Sequence, residues 1–400
     1  MTPAPTRLAH IPGHRFLHAP GPTHLHHSVV EAMSRQPLDH GDPRLMEMVA
    51  ACEAGIKSLL NAPSAHVFMY ATNGHGAWEA AHANLLAVGD TVLIPGTGHF
   101  SESWAIQTEA LGATVIRTPW REGFPLDPVE IEAALRADTS HAIKAVFTVH
   151  TDTASGMTND LAAIRAAMDA ARHPALFVVD VVASLGAAPF DMQVLRANVV
   201  IGASQKGLMC TPGLGFCAAD NIALALSRNN PNPRFYWDWI RRLGEHAYQK
   251  FCGTAPQNLL MGMQAAFGLI EQEGLPQVFA RHRRIARATH AAVQCWSRAG
   301  QFGFFSKIEA ARSVSVTSIT VAPGVEVEAL RTVARERFQV AFAGGLGPLT
   351  GRIFRIGHLG DINEAMILGC LGGIEAAMTV QGLAFEPGVS AAAASLAQDR

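Results

Sequence analysis

Charge is scarce in this 400-residue chain. Asp, Glu, Lys and Arg make up 16% of it, and the formal net charge is -2. So near neutrality, the chain lacks the broad basic field that non-specific nucleic-acid binding relies on, and small molecules are the expected partners. Long apolar runs are also missing. Stretches such as Ala175 to Val182 fall well short of the ~20 predominantly apolar residues of a spanning helix, so no membrane association is expected. The first twenty residues, MTPAPTRLAHIPGHRFLHAP, are broken by proline and histidine and lack the apolar core and cleavage site of a secretory signal. The cysteines Cys52, Cys210, Cys217, Cys252, Cys295 and Cys370 form no CxxC pair and no short disulfide spacing. Reduced thiols in a cytoplasmic protein are expected, with no metal site. Absence of a GxGxxG run and of a GxxxxGK[ST] pattern argues against dinucleotide and P-loop binding.

What is abundant is apolar surface: 49% of residues are hydrophobic, enough for a large core and more than one domain. β-rich runs at His66 to Tyr70, Thr91 to Ile94, Ala113 to Arg117, Ala145 to Val149, Leu176 to Val182 and Val199 to Ala203 alternate with helical patterns, a rhythm that predicts an α/β fold. Leu161, Ile164 and Met168 lie at i, i+3 and i+7, one apolar stripe of a helix that Asn159 and Asp160 suit as a start. FVVDVV is apolar almost throughout, as in a mainly parallel sheet covered on both faces. From about Pro256 helical patterns dominate (Met261 to Glu271, Val278 to Trp296), followed by a β-rich run Val314 to Val321 and a helix over Val327 to Phe338. The expected division is an N-terminal arm over 1–20, a large α/β domain over 21–270 and a smaller α+β domain over 271–400. The tail GVSAAAASLAQDR reads either as a terminal helix or as disordered.

Asp180, near the end of one apolar strand, and Lys206, just past the next in Ser204-Gln205-Lys206-Gly207, form the sharpest constellation. Ligands of such sheets sit at the carboxyl ends of the strands. A lysine in a partly dry pocket gives up its proton more readily and can attack an aldehyde, the entry to pyridoxal chemistry. A carboxylate facing the ring nitrogen would keep it protonated. Taken singly, a surface lysine and a helix-capping acid are the commoner explanations. Three further elements shift the balance. Thr72-Asn73-Gly74-His75-Gly76, between a strand and a helical pattern, presents backbone N–H groups to an anion such as a phosphate. His150-Thr151-Asp152-Thr153-Ala154-Ser155-Gly156 puts hydroxyls at a strand end, although an ordinary Ser/Thr turn also accounts for it. Arg355, inside an apolar stretch, suits a carboxylate clamp or a structural salt bridge.

Together these motifs resemble the class V branch of fold-type I pyridoxal-phosphate enzymes, and within it the serine, alanine and aspartate:glyoxylate aminotransferases. The resemblance runs nearly end to end, from Ala19-Pro20-Gly21-Pro22-Thr23 through NGHGAWEA, HTDTASG, FVVDVVASLG, GASQKGL and FARHRRIA to GGLGPLTGRIFRIGHLGD. It implies a large mainly parallel mixed sheet that binds pyridoxal 5'-phosphate, plus a smaller C-terminal domain. Carried over residue by residue, it makes Lys206 the cofactor-bearing lysine, Asp180 the ring-nitrogen partner, Val182 an apolar contact beneath the ring and Phe100 its stacking aromatic. Asn73, Gly74, His75 and Gln205 then hold the phosphate, Thr153 lies near the phenolic oxygen, and Arg355 clamps the substrate carboxylate. A homodimer with shared sites is implied, Thr254 reaching a neighbouring subunit from Phe251-Cys252-Gly253-Thr254-Ala255-Pro256. The family's tyrosine is absent from that segment, and its His-Arg near position 40 reads Asp39-His40-Gly41-Asp42, which leaves the amino donor open. The implied reaction is a ping-pong transfer from an amino acid to a 2-oxo acid such as glyoxylate, with Lys206 as general base and acid. The alternatives are a β-elimination lyase, a cysteine desulfurase or a kynureninase-like hydrolase on the same scaffold, and a non-catalytic binding protein. Cys370, in a helical pattern, suits a packed thiol better than a mobile nucleophile.

Overall fold

Seven strands make the main sheet of the protein, seen in a computed structural model that describes residues 13–398, so residues 1–12 of the expected arm lie outside the described residues. The strand order is His66–Thr72, Gly213–Ala219, Val199–Ala203, Leu176–Asp180, Ile143–Val149, Thr91–Pro95, Thr114–Thr118. Gly213–Ala219 pairs antiparallel with both its neighbours, and the remaining pairs are parallel. The expected α/β rhythm is present, but Gly213–Ala219 is an unexpected strand. Its sequence, GLGFCAA, has little β-propensity, and its position between two apolar strands overrides that.

Alternation along the inner strands feeds two cores, one on each face. Phe177 and Val179 pack on the face covered by Pro43–Leu59, Leu161–Ala171 and Gln257–Glu273. Leu176 and Val178 pack on the opposite face, under Gly74–Leu85 and His99–Ala110. The Leu161 stripe is buried as expected, and Asp160 caps its helix by accepting from the Ala163 amide at 3.0 Å. Leu176–Asp180 stops two residues short of the expected Val182, because the Val182 amide folds back onto Asp180 Oδ1 at 2.7 Å.

A second sheet has the order Phe16–His18, Val340–Gly344, Ile353–Gly357, Val316–Val321, Phe302–Phe304, packed against the helices Leu275–Trp296, Val327–Arg337 and Glu364–Val380. Phe16–His18 runs parallel to Val340–Phe342, and just after it the Ala19 carbonyl lies against Gly357 of this sheet while the Pro20 carbonyl accepts from Lys206, which follows a strand of the main sheet. The tail is helical over Val389–Gln398. Among the described residues no helix is long and apolar enough to cross a membrane.

Candidate active site

Five strands of the main sheet release their chains at one edge, and the turns that follow enclose a cavity of about 280 Å³. It is lined by Asn73, Gly74 and His75 after His66–Thr72, Phe100 after Thr91–Pro95, Thr151 and Thr153 after Ile143–Val149, Asp180 and Val182, and Gln205 and Lys206. These are the carboxyl ends of the strands, where a doubly wound sheet leaves a crevice.

Asp180 sits on the cavity floor, only 4% exposed. By alternation it shares the sheet face of Leu176 and Val178, the face covered by the helix Gly74–Leu85. Trp78 projects from that helix and donates its indole N–H to Asp180 Oδ2 at 2.6 Å, while the Val182 amide donates to Oδ1. Burial pushes the Asp180 carboxyl up to about 6, a rise that the two donors and Lys206 oppose and Asp152 reinforces. Burial pushes the Lys206 ammonium down to about 8, helped by the nearby Arg355 charge and opposed by Asp180 and Asp152. At neutral pH this leaves an ionised acid beside an amine within reach of its neutral form. The Lys206 ammonium donates to the Pro20 carbonyl, and Gly21 has a φ of +125°, which favours glycine; a Cβ there would also lie 2.4–2.7 Å from the lysine's flexible outer atoms, which would have to shift.

At the opposite end, Asn73 caps Gly74–Leu85 by accepting from the Gly76 amide at 3.2 Å, which directs the first free N–H groups of a 12-residue helix at the cavity. Gln205 adds an amide whose buried oxygen finds no partner among the described residues. His75, its pKa lowered by burial and then by His99, lies against the Trp78 ring at 4.5 Å.

The turn after Ile143–Val149 is organised by Asp152, which is fully buried. One carboxylate oxygen accepts from the Phe100 amide at 2.9 Å and the other from the Ala154 amide at 2.8 Å. One acid therefore ties Phe100 to the Thr153 turn. Arg355 reaches that turn from the middle of Ile353–Gly357, donating from Nη1 to the Thr153 carbonyl at 2.9 Å and from Nε to the Gly344 carbonyl at 2.7 Å. Among the described residues no carboxylate lies within ion-pair range of it, although the nearby Asp152 charge favours its charged form. The salt-bridge alternative is not realised.

Lys206, Asp180, Asn73, Gly74, His75, Phe100, Thr153, Val182 and Gln205 thus meet at one cavity, and Arg355 adjoins it through Thr153. Thr254 does not join them. It is exposed in the turn before Gln257–Glu273. Trp78, Asp152, Pro20 and Gly21 were not foreseen as site residues. Trp78 reads in sequence as one more apolar helix residue, and only its place one turn along from Gly74 hints at the site. Cys370 is fully buried within Glu364–Val380, and burial pushes its thiol far up, which rules out a mobile thiolate there.

Known proteins share this sequence and fold. The chain is 36% identical over 389 residues to a serine–glyoxylate aminotransferase of Methylorubrum extorquens, covering 96% of each protein. It is likewise 36% identical over 381 residues to an L-aspartate–glyoxylate aminotransferase of Paracoccus denitrificans, covering 94% of each. Its fold superposes on the crystal structure of a ureidoglycine–glyoxylate aminotransferase from Bacillus subtilis with a TM-score of 0.88, at 24% identity, over 97% of this chain and 99% of that one. The family model described as aminotransferase class-V matches residues 15–349, and the chain belongs to that family, with the fold of the type I pyridoxal-phosphate enzymes.

Proposed function

We propose that the chain transfers the amino group of a small amino acid (serine, alanine or aspartate) to a 2-oxo acid, glyoxylate giving glycine, with pyridoxal 5'-phosphate as cofactor. Lys206 and Asp180 facing one crevice, with Arg355 held beside it at the Thr153 turn and near enough for its charge to act on Lys206, carry the reading. The glyoxylate aminotransferases that share 36% of its sequence support the acceptor.

The residues present fit the cofactor. The free amides of Gly74 and His75 suit its phosphate, Gln205 lines the same cavity with a side-chain NH₂ that can donate to it, Phe100 and Val182 line the cavity where a flat ring would lie, and Asp180 offers a buried carboxylate to the ring nitrogen. When bound, pyridoxal phosphate supplies an electron sink for the pair released at the substrate's Cα. Asp180, ionised at neutral pH, holds a proton on the facing nitrogen. Lys206, whose amine is partly neutral at that pH, is both the nucleophile that anchors the cofactor and the base that takes and returns the Cα proton. Arg355, steadied by the Thr153 and Gly344 carbonyls, orients the carboxylate of each substrate in turn.

Residues 21–270 then form the cofactor-binding domain and 271–400 the smaller one. In this reading the protein is a cytoplasmic homodimer, and Thr254, exposed and away from its own cavity, serves the second subunit's site. The test is a half-reaction: single amino acids are added to the holoenzyme and conversion of the cofactor to its amine form is followed by absorbance. Conversion by serine, alanine or aspartate, reversed by glyoxylate with release of glycine, is expected, and Lys206→Ala should lower turnover by orders of magnitude. Accumulation of ammonia or pyruvate with no amine form would establish a lyase instead.

A further inference from the structure

The acid that faces the ring nitrogen is itself held by a residue that reaction chemistry does not require. Trp78 is 2% exposed, and its indole N–H meets Asp180 Oδ2 at 2.6 Å, while the Val182 amide takes Oδ1. Each carboxylate oxygen therefore has one fixed donor, which sets the carboxylate's orientation. The indole is itself fixed. It stacks on Trp104 at 5.1 Å with 9° between planes, and Trp104 stacks on Phe147 at 4.7 Å, a three-ring column running from the cavity into the core.

We propose that Trp78 is a positioning residue for transamination: its N–H holds the Asp180 carboxylate in one orientation and lowers its basicity, so that the shared proton rests on the cofactor's ring nitrogen and not on the acid. This rests on the reading of the cavity as a pyridoxal-phosphate site. A hydrogen bond donated to a carboxylate stabilises its charged form. Without the indole N–H, the carboxylate is the more basic partner and draws the proton away from the ring. The charged and titratable groups facing Asp180 are Lys206, from the turn after Val199–Ala203, and Asp152, from the turn after Ile143–Val149. Lys206 favours the ionised acid and Asp152 opposes it, which leaves the N–H donors of Trp78 and Val182 as its uncharged support. His75 packs on the Trp78 ring and completes the surroundings.

Trp78→Phe removes the N–H and keeps an aromatic ring against Trp104. Trp104→Phe disturbs the column and keeps the donor, so it reports packing alone. If Trp78→Phe does not fold, an isosteric residue with sulfur in place of the indole N–H takes its place. Each protein is loaded with pyridoxal phosphate carrying ¹⁵N in the ring, and the nitrogen's chemical shift is followed against pH. In the wild type and in Trp104→Phe the nitrogen should be protonated through neutral pH. In Trp78→Phe its shift should move toward that of free pyridine and its deprotonation to lower pH, and the amino-acid half-reaction should slow about tenfold or more, the scale of one hydrogen bond to a charged group. An unchanged ¹⁵N titration in a folded, loaded Trp78 variant overturns the inference and leaves the reading of the site intact. A wild type that takes up no cofactor overturns both.

Discussion

Replacing Asp180 with asparagine isolates the cost of holding a buried acid ready for a cofactor. In the protein without cofactor, burial raises this carboxyl from 3.8 to about 6. Because the folded value lies above the unfolded one, the folded state holds the proton more tightly between them. Stability therefore falls as pH rises through that window and the loss is complete above about pH 6. Between pH 4.5 and pH 7 the linkage amounts to about 2 kcal/mol for this one group. Asparagine does not titrate, so the variant lacks that fall. It does leave either the Trp78 indole or the Val182 amide facing an NH₂ group, a cost of roughly 1–3 kcal/mol that is the same at both pH values and cancels when they are subtracted. Urea unfolding of wild-type and Asp180→Asn apoprotein, at equal concentration and at pH 4.5 and 7, gives the double difference directly. Wild type should lose about 2 kcal/mol more than the variant on going to pH 7. Equal pH dependence within about 0.5 kcal/mol, well below the linkage expected, would refute the buried, raised acid. In the holoenzyme the same substitution should cost at least 100-fold in turnover, since the ring nitrogen loses its charged partner.

Three other outcomes follow from the geometry. Burial brings the Lys206 amine to about 8, so uptake of pyridoxal phosphate by the apoprotein should accelerate with pH up to about 8 and then level off, as stopped-flow absorbance would record. A plateau reached only above pH 10 contradicts that environment. Arg355→Ala removes a charge-assisted contact to each substrate carboxylate and should raise both apparent KM values about 10–100-fold while cofactor uptake persists, and steady-state kinetics with unchanged KM would rule out the clamp. Gly21→Ala places a methyl 2.4–2.7 Å from the Lys206 side chain at a φ of +125°, so the borohydride-sensitive absorbance band should form at least tenfold more slowly, and wild-type loading kinetics would show that the Pro20-Gly21 segment does not confine the lysine.

The chemistry of the site was legible wherever it depends on residue type next to a strand end. Asp180 and Lys206 were recognisable because each follows an apolar run, and Asn73-Gly74-His75 because glycine turns that open helices leave amides free. Arg355 was ambiguous in sequence: an arginine in an apolar stretch suits an ion pair as well as a ligand. Its hydrogen-bond partners are two backbone carbonyls, of Thr153 in a turn and of Gly344 in the second sheet, and no pattern of residue types encodes a carbonyl. Gly213–Ala219 was missed for the opposite reason, since its glycines and alanines carry no β signal of their own.

By itself the sequence determined the α/β rhythm, the two cores' apolar supply, the near-neutral surface and the residue types at the strand ends, because these are set by local periodicity and composition. Only the tertiary structure decided that Asp180 points at Trp78, that Asp152 is spent on tying Phe100 to the Thr153 turn, and that Pro20 and Gly21 close over Lys206. The contacts of Asp180 with Trp78, of Asp152 with Phe100 and of Lys206 with Pro20 join residues 102, 52 and 186 positions apart in the chain. Their existence depends on strand order and on which face of the sheet a side chain takes, and neither is fixed until the sheet is assembled.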